Sequence, residues 1–285
     1  MREGGRPLEP HADGRQRSAW LEEQAEVRAH ERRGLDWFDL RLHAPQIAAR
    51  ALPGQFAQLQ VRPVGPAGAG LDPLLRRPLS FCTLDPGRGE ISVIYRVVGR
   101  GTALLAEAAP GQRLSLLGPL GSSFPDPRRA PARPLLLVGG GLGIPPLACA
   151  AAWALAAGRP TRALLGARTA GYLAGAAEVA AAGAAVTAVT EDGSAGRRGL
   201  VTAELAEVLT AEADVWACGP APMLSAVQAL CRQHGAGCWL CVERPMACGF
   251  GVCIGCAVAR ADGTGYLKAC TDGPVLRGDE ADLAG

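Results

Sequence analysis

The residues with the most chemical character are a run of cysteines near the C-terminus, Cys248, Cys253 and Cys256, followed after thirteen residues by Cys270. The spacing C-x4-C-x2-C…C is that of a [2Fe–2S] site, in which two thiolates hold each iron. Three thiolates close in sequence can wrap a compact anionic cluster, and Cys270 closes the second iron. Gly249, Gly251 and Gly255 let the backbone turn tightly and aim N–H groups at the sulfurs. A structural zinc site is the alternative, but zinc ribbons use two short cysteine pairs and this stretch has one. Cys238 and Cys241 form another C-x2-C, in a strand-like apolar stretch. Residues three apart on a strand point to opposite faces, so these read as core thiols. Cys82, Cys149 and Cys231 read as small buried residues in the same way.

A second constellation is the glycine-rich turn Gly139, Gly140, Gly141 and Gly143, which follows the apolar run ending at Val138 and precedes an Ala-rich helical stretch. Such a strand–turn–helix brings bare backbone close to a dinucleotide, and the helix start favours its phosphates. Cys218, Gly219 and Pro220 end a later apolar strand, at the carboxyl edge where α/β sheets bind ligands. Arg168 could meet a 2′-phosphate, but Glu191 and Asp192 at the next strand end would repel one, which favours NAD over NADP. A third group is Arg76-Arg77-Pro78-Leu79-Ser80 with Ile94-Tyr95-Arg96 and Gly101-Thr102. Taken alone, Arg-x-x-Ser is a weak signal that an exposed arginine beside a turn would equally produce.

These groups need elements to hold them. Leu35–Leu42, Gln55–Val61, Ile91–Val98 and Arg113–Leu117 read as short strands, with breaks at Pro53-Gly54 and Pro86-Gly87, as in an antiparallel barrel. From Pro134 the texture changes to fully apolar strands, Leu135–Val138, Ala163–Leu165, Ala185–Val189 and Asp214–Ala217, alternating with helical segments. That pattern indicates a parallel sheet covered on both faces. The expected order is a disordered extension over 1–22, a barrel over 23–128, an α/β domain over 129–240, a cluster domain over 241–277 and a tail over 278–285. The 285 residues contain 38 Gly and 22 Pro, yet 48% of the chain is hydrophobic, which is a folded, loop-rich composition. A net charge of +2, with basic residues spread along the chain, excludes a nucleic-acid stripe. No segment is apolar for long enough to span a membrane, and no secretory leader is visible, so a cytoplasmic location is expected. Ten cysteines in a reducing compartment favour metal or redox chemistry over disulfides, and the four histidines lack a catalytic neighbourhood.

In order along the chain, RRPLS, IYRVVGRGT, GPLG, VGGGLGIPPL, TEDGSAGRRG, ACGPAPML, ERPMACGFGVCIGC and ACTDGPVL resemble the ferredoxin reductase family. Within it, over roughly residues 23–277, they resemble the iron–sulfur electron-transfer subunits of two-subunit, NAD-dependent dihydroorotate dehydrogenases. Ser122-Ser123 after GPLG departs from the family's usual Asn-Gly, and residues 1–22 have no family counterpart. The resemblance implies a flavin-binding barrel holding FAD through Arg77, Pro78, Leu79, Ser80, Ile94, Tyr95, Arg96, Gly101 and Thr102. Arg77 would meet the pyrophosphate, Ser80 would lie near flavin N5, and Gly101-Thr102 would form a second phosphate clamp. It places Cys218 near the nicotinamide, although a buried core thiol explains that residue equally well. It also implies an FMN-containing catalytic partner, two copies of each subunit assembling together, and a place in pyrimidine biosynthesis. A nicotinamide exchanges two electrons as hydride and a [2Fe–2S] cluster carries one, so FAD belongs between them. The chain has no constellation for an organic substrate, so its electrons must come from another protein. Two alternatives stay open: a sister subunit serving a sulfide- or ferredoxin-linked NAD(P)H oxidoreductase, and a non-catalytic module with a zinc staple. The intact Cys248 favours the first reading over the sister subunit, where an Asp often replaces that ligand.

Overall fold

Apolar and polar residues alternate along β1 (Leu21–Arg32), so Leu21, Ala25 and Val27 turn inward while their neighbours stay outside. Low-propensity Ala and Glu hid this strand from the sequence reading. The computed structural model describes residues 12–34, 36–61, 72–129 and 133–283. Glu23, the acidic residue on the inward face of β1, accepts the N–H groups of Gln46 and Ile47 at 3.1 and 2.9 Å. It thereby satisfies the start of a short helix, α1 (Pro45–Ala48), within the barrel.

The first sheet adds β2 (Trp37–His43), β3 (Phe56–Leu59), β4 (Arg77–Ser80), β5 (Thr83–Asp85), β6 (Glu90–Arg96) and, after helix α2 (Arg100–Leu105), β7 (Arg113–Leu120). All its pairings are antiparallel, in the order β4-β3-β7-β1-β2-β6-β5. The sheet curls around an apolar interior that includes Leu40, Ile47, Phe81, Ile91, Tyr95 and Leu114. It is an open barrel, with β4 and β5 as its two edges.

The second sheet follows the expected alternation. Strand β8 (Leu135–Gly140) leads through the glycine turn to α3 (Pro146–Ala156). Then come β9 (Thr161–Ala167), α4 (Ala176–Ala181), β10 (Ala185–Thr190), β11 (Arg197–Arg198), α5 (Val201–Val208), β12 (Asp214–Cys218), α6 (Ala221–His234) and β13 (Gly237–Cys241). The order β11-β10-β9-β8-β12-β13 is parallel throughout. Stacking of Phe124 on Trp216, with centroids 4.7 Å apart, ties the barrel to this sheet.

The C-terminal segment forms a hairpin, β14 (Ala257–Ala259) and β15 (Tyr266–Lys268), and then returns as β16 (Val275–Arg277), antiparallel to β13. The cysteine segment is therefore anchored at both ends on the α/β sheet. Beyond it, Ala281 and Leu283 are buried, so the expected tail over 278–285 packs into the core as far as it is described.

The expected disordered extension over 1–22 does not hold for residues 12–22. Arg15 is 3% exposed, pairs with Asp13 and Glu280 at 2.6 and 2.9 Å, and donates to the Val275 carbonyl at 2.8 Å. A buried guanidinium needs several acceptors, and most of those for Arg15 come from the far C-terminus. Local composition could not reveal them. Residues 1–11 lie outside the described part of the chain.

Candidate functional site

Strand β4 places Arg77, Pro78, Leu79 and Ser80 along one wall of a cavity of about 270 Å³. Ile94, Tyr95 and Arg96 from β6 and Thr102 from α2 complete that side, and Leu142, Gly143, Cys218, Gly219 and Glu243 face them from the α/β domain. Gly101 does not line the cavity but supports it. A Cβ there would fall 2.2 Å from Arg77 Nε, so the guanidinium lies directly on the bare backbone of α2. Arg77 donates to the Leu75 carbonyl at 2.6 Å and makes no carboxylate pair among the described residues. Its charge is thus open to an anion. The Thr102 hydroxyl accepts the Val98 N–H at 3.0 Å and donates to the Gly99 carbonyl at 3.0 Å, which locks the turn into α2. Tyr95 is 2% exposed; its hydroxyl meets His30 Nε2 at 2.9 Å, and burial pushes the phenol up. Its ring therefore serves the barrel core more than the cavity.

The glycine turn and β12 frame a neighbouring cavity of about 620 Å³, lined by Gly140, Gly141, Gly143, Gly219, Pro220, Arg168 and Glu191. Any side chain on Gly143 would strike β12, because its Cβ would lie 2.1 Å from the Cys218 carbonyl oxygen. Gly139 lines neither cavity; it lies against Leu147, Leu165 and Ile144 and allows close helix–strand packing. Cys218 lines the smaller cavity, where Cys241 is its register partner on β13. Its thiol is pushed up by the Cys241 contact and by burial. Asp192 caps Ser194 within its own turn at 2.9 Å, so of this adjacent pair only Glu191 lines the cavity, where Glu243 is a second acidic group. The two cavities share Arg96, Leu142, Gly143, Gly219 and Glu243 and so form one continuous cleft between the domains.

Among the described residues, no three Cys, His, Asp or Glu side chains converge at metal-holding distance. Two of the four thiols pair directly, and the other two meet through a backbone N–H. Cys256 and Cys270 have sulfurs 3.2 Å apart, and the Cys253 N–H points at Cys248 Sγ from 3.5 Å. One close sulfur pair within an all-thiol set of four donors fits the ligand chemistry of a [2Fe–2S] cluster. Burial pushes the Cys248 thiol up, but the N–H groups of Cys253, Phe250 and Val252 outweigh it and bring it down to about 6. A loop that already stabilises thiolate suits an anionic cluster. Burial and the neighbouring Cys256 push Cys270 up to about 12. Phe250, Val252 and Ile254 are exposed on the loop, and Phe250 stacks on Trp20 with centroids 6.2 Å apart. Met246 instead packs inward and reaches the smaller cavity. Cys238 and Cys241 fall on opposite faces of β13, one in the cluster of Cys231 and the other in that of Cys218, as expected of core thiols.

Sequence reasoning missed the aromatic side of the cleft. Arg96, paired to Asp36 at 2.6 Å, has Trp37 and Tyr172 5.6 and 5.1 Å from its guanidinium carbon. Trp37 Nε1 is buried without a hydrogen-bond partner among the described residues. Single aromatic residues more than a hundred positions apart carry no local signal. Glu243 and Phe56 lay inside or beside motifs already noted, but only the fold brings them to the cavity wall.

Comparison with known proteins accords with this arrangement. Residues 243–282 match the family model for the iron–sulfur cluster binding domain of dihydroorotate dehydrogenase B. The chain is 40% identical over 248 residues to the dihydroorotate dehydrogenase B (NAD(+)) electron transfer subunit of Geobacillus thermodenitrificans, covering 86% of this chain and 93% of the relative. The subunit of the same name from Bacillus caldolyticus is 41% identical, with the same coverage. Among solved structures, a chain of an NADH-dependent reduced ferredoxin-NADP oxidoreductase matches with a TM-score of 0.77 and 29% identity, over 92% of this chain and 90% of that one. A cytochrome P450 reductase from Amycolatopsis matches with a TM-score of 0.61 and 27% identity, over 79% and 70%. With its curled flavin-type barrel, its α/β sheet and its cysteine loop, the chain belongs to the electron transfer subunits of dihydroorotate dehydrogenase B.

Proposed function

We propose that this chain carries electrons from an FMN-bearing catalytic partner, through a [2Fe–2S] cluster and FAD, to NAD⁺ as orotate is formed in the cytoplasm. Two copies of each subunit would make up the assembly. The observation that carries the reading is the single cleft between barrel and α/β sheet, with the cysteine loop abutting it through Met246. When bound, FAD exchanges two electrons with a nicotinamide and one at a time with an iron–sulfur cluster. The chain's own residues supply position and charge. Arg77, lying on Gly101, would hold the FAD pyrophosphate, and the β4 backbone through Ser80 would line the flavin. Gly140, Gly141 and Gly143 would admit the dinucleotide phosphates, while Glu191 would disfavour a 2′-phosphate and select NAD. Cys248, Cys253, Cys256 and Cys270 would hold the cluster, with Phe250, Val252 and Ile254 exposed beside it toward the partner.

The test is reconstitution. Purified alone, the protein should reduce artificial acceptors with NADH and leave dihydroorotate untouched. Mixed with an FMN-bearing catalytic subunit, it should confer NAD⁺-dependent orotate formation. Oxidation of dihydroorotate by the isolated chain would overturn the two-subunit reading. A second reading, a ferredoxin-linked NAD(P)H reductase subunit, draws on the likeness to the NADH-dependent reduced ferredoxin-NADP oxidoreductase. It predicts a mixture that reduces ferredoxin and never couples to dihydroorotate.

A further inference from the structure

Gln58 is fully buried, yet among the described residues neither its Oε1 nor its Nε2 has a hydrogen-bond partner. Buried amides are nearly always paired, and one that is not marks a strained or functional position. Gln58 lies within β3, whose neighbouring residues Ala57 and Leu59 fill the barrel interior. Phe56, two residues earlier, belongs instead to the core that contains Cys256 and Cys270, and it lines the flavin cavity. Gln58 meets the cysteine loop directly, since a Cβ on Gly249 would fall 2.6 Å from both its Cγ and its Nε2. Gly249 has a φ of +82°, so the loop turns with bare backbone against the amide, next to Cys248. On the other side of the loop, the Thr271 hydroxyl is also buried without a partner among the described residues, and the Lys268 ammonium donates to the Gly251 carbonyl at 3.3 Å.

We propose that Gln58 is a positioning residue for the iron–sulfur site, whose unpartnered side-chain N–H, held against Gly249, would donate to sulfur at the Cys248 end when the cluster is bound, from the strand that also walls the cavity proposed for the flavin. The inference rests on the reading that the four cysteines hold a [2Fe–2S] cluster. A donor aimed at sulfur favours the extra negative charge of the reduced site and so raises its reduction potential.

The experiment compares the full-length, iron- and FAD-loaded protein with its Gln58→Leu variant, which keeps the bulk and removes the donor. Iron content, visible absorbance and an EPR-monitored redox titration are read on both. The variant should keep its iron and flavin while its cluster midpoint falls, by about tenfold in the one-electron equilibrium, or ~59 mV. An unchanged or raised midpoint with full iron overturns the proposal. Pulsed EPR on reduced wild-type protein carrying ¹⁵N-labelled glutamine side chains supplies a readout that does not depend on the variant's folding. A nitrogen coupling to the cluster is expected, and its absence overturns the assignment. If the wild-type protein itself holds no iron and shows no cluster absorbance, the cysteine reading has failed instead, and the two failures are distinguishable.

Discussion

Gly101→Ala tests the proposed flavin site through a residue that does not line the cavity. The added methyl would sit 2.2–2.4 Å from three atoms of the Arg77 guanidinium, so the arginine must leave its seat on α2. Arg77 is a flexible side chain and Gly101 lies inside a helix, so the backbone can keep its shape while Ala improves helix propensity by up to ~1 kcal/mol. Thermal stability of the apoprotein should therefore hold or rise. A hydrogen bond between an arginine and a phosphate contributes about 1.5–3 kcal/mol, so its loss should weaken FAD binding by about 10- to 150-fold. The assay is flavin-to-protein ratio after extensive dialysis, followed by calorimetric titration of FAD into the stripped protein. Arg77→Ala should weaken binding by a similar factor. The double variant should be little worse than either single one, because both remove the same contact. Full flavin occupancy in a folded Gly101→Ala protein would refute the seat, and additive losses would show that the two residues act separately.

Replacing Cys253 with Ser should abolish the cluster absorbance and iron content while the barrel keeps its FAD; loss of flavin in proportion to iron would show that the two sites are not independent. Gly143→Ala should raise the KM for NADH, because the methyl collides with the Cys218 carbonyl where the two cavities adjoin; an unchanged KM in the folded variant would place the nucleotide elsewhere. Removing the Glu191 carboxylate with Glu191→Ser should relieve about 1–2 kcal/mol of repulsion toward a 2′-phosphate in this half-open cleft, raising kcat/KM for NADPH about five- to thirtyfold relative to NADH. In iron-free protein, iodoacetamide labelling of Cys248 should rise as pH passes about 6, since its thiolate is favoured above that value, while Cys270, pushed up to about 12, stays a thiol at neutral pH. Peptide mass spectrometry showing equal labelling of the two at pH 7 would remove the argument that the loop is preset for thiolates.

What the sequence by itself determined is whatever depends on neighbours a few residues apart. The spacing of Cys248, Cys253 and Cys256 sets the reach of three sulfurs, and the glycines before Ile144 make a strand–turn–helix possible. The apolar runs of β8, β9 and β12 mark a buried parallel sheet because every second side chain, and those between, must be covered. The tertiary structure decided whatever joins distant segments. Leu21–Arg32 could be recognised as a strand only once its inward face had a barrel to fill. The ordering of residues 12–20 depends on acceptors such as the Val275 carbonyl and Glu280, more than 250 positions away. The seating of Arg77 on Gly101, the aromatic flanks of Arg96 and the contact of Gln58 with Gly249 are likewise long-range. Side chains meet across elements according to how sheets curl and pack, and that geometry is a property of the whole core; no short stretch of the chain contains it.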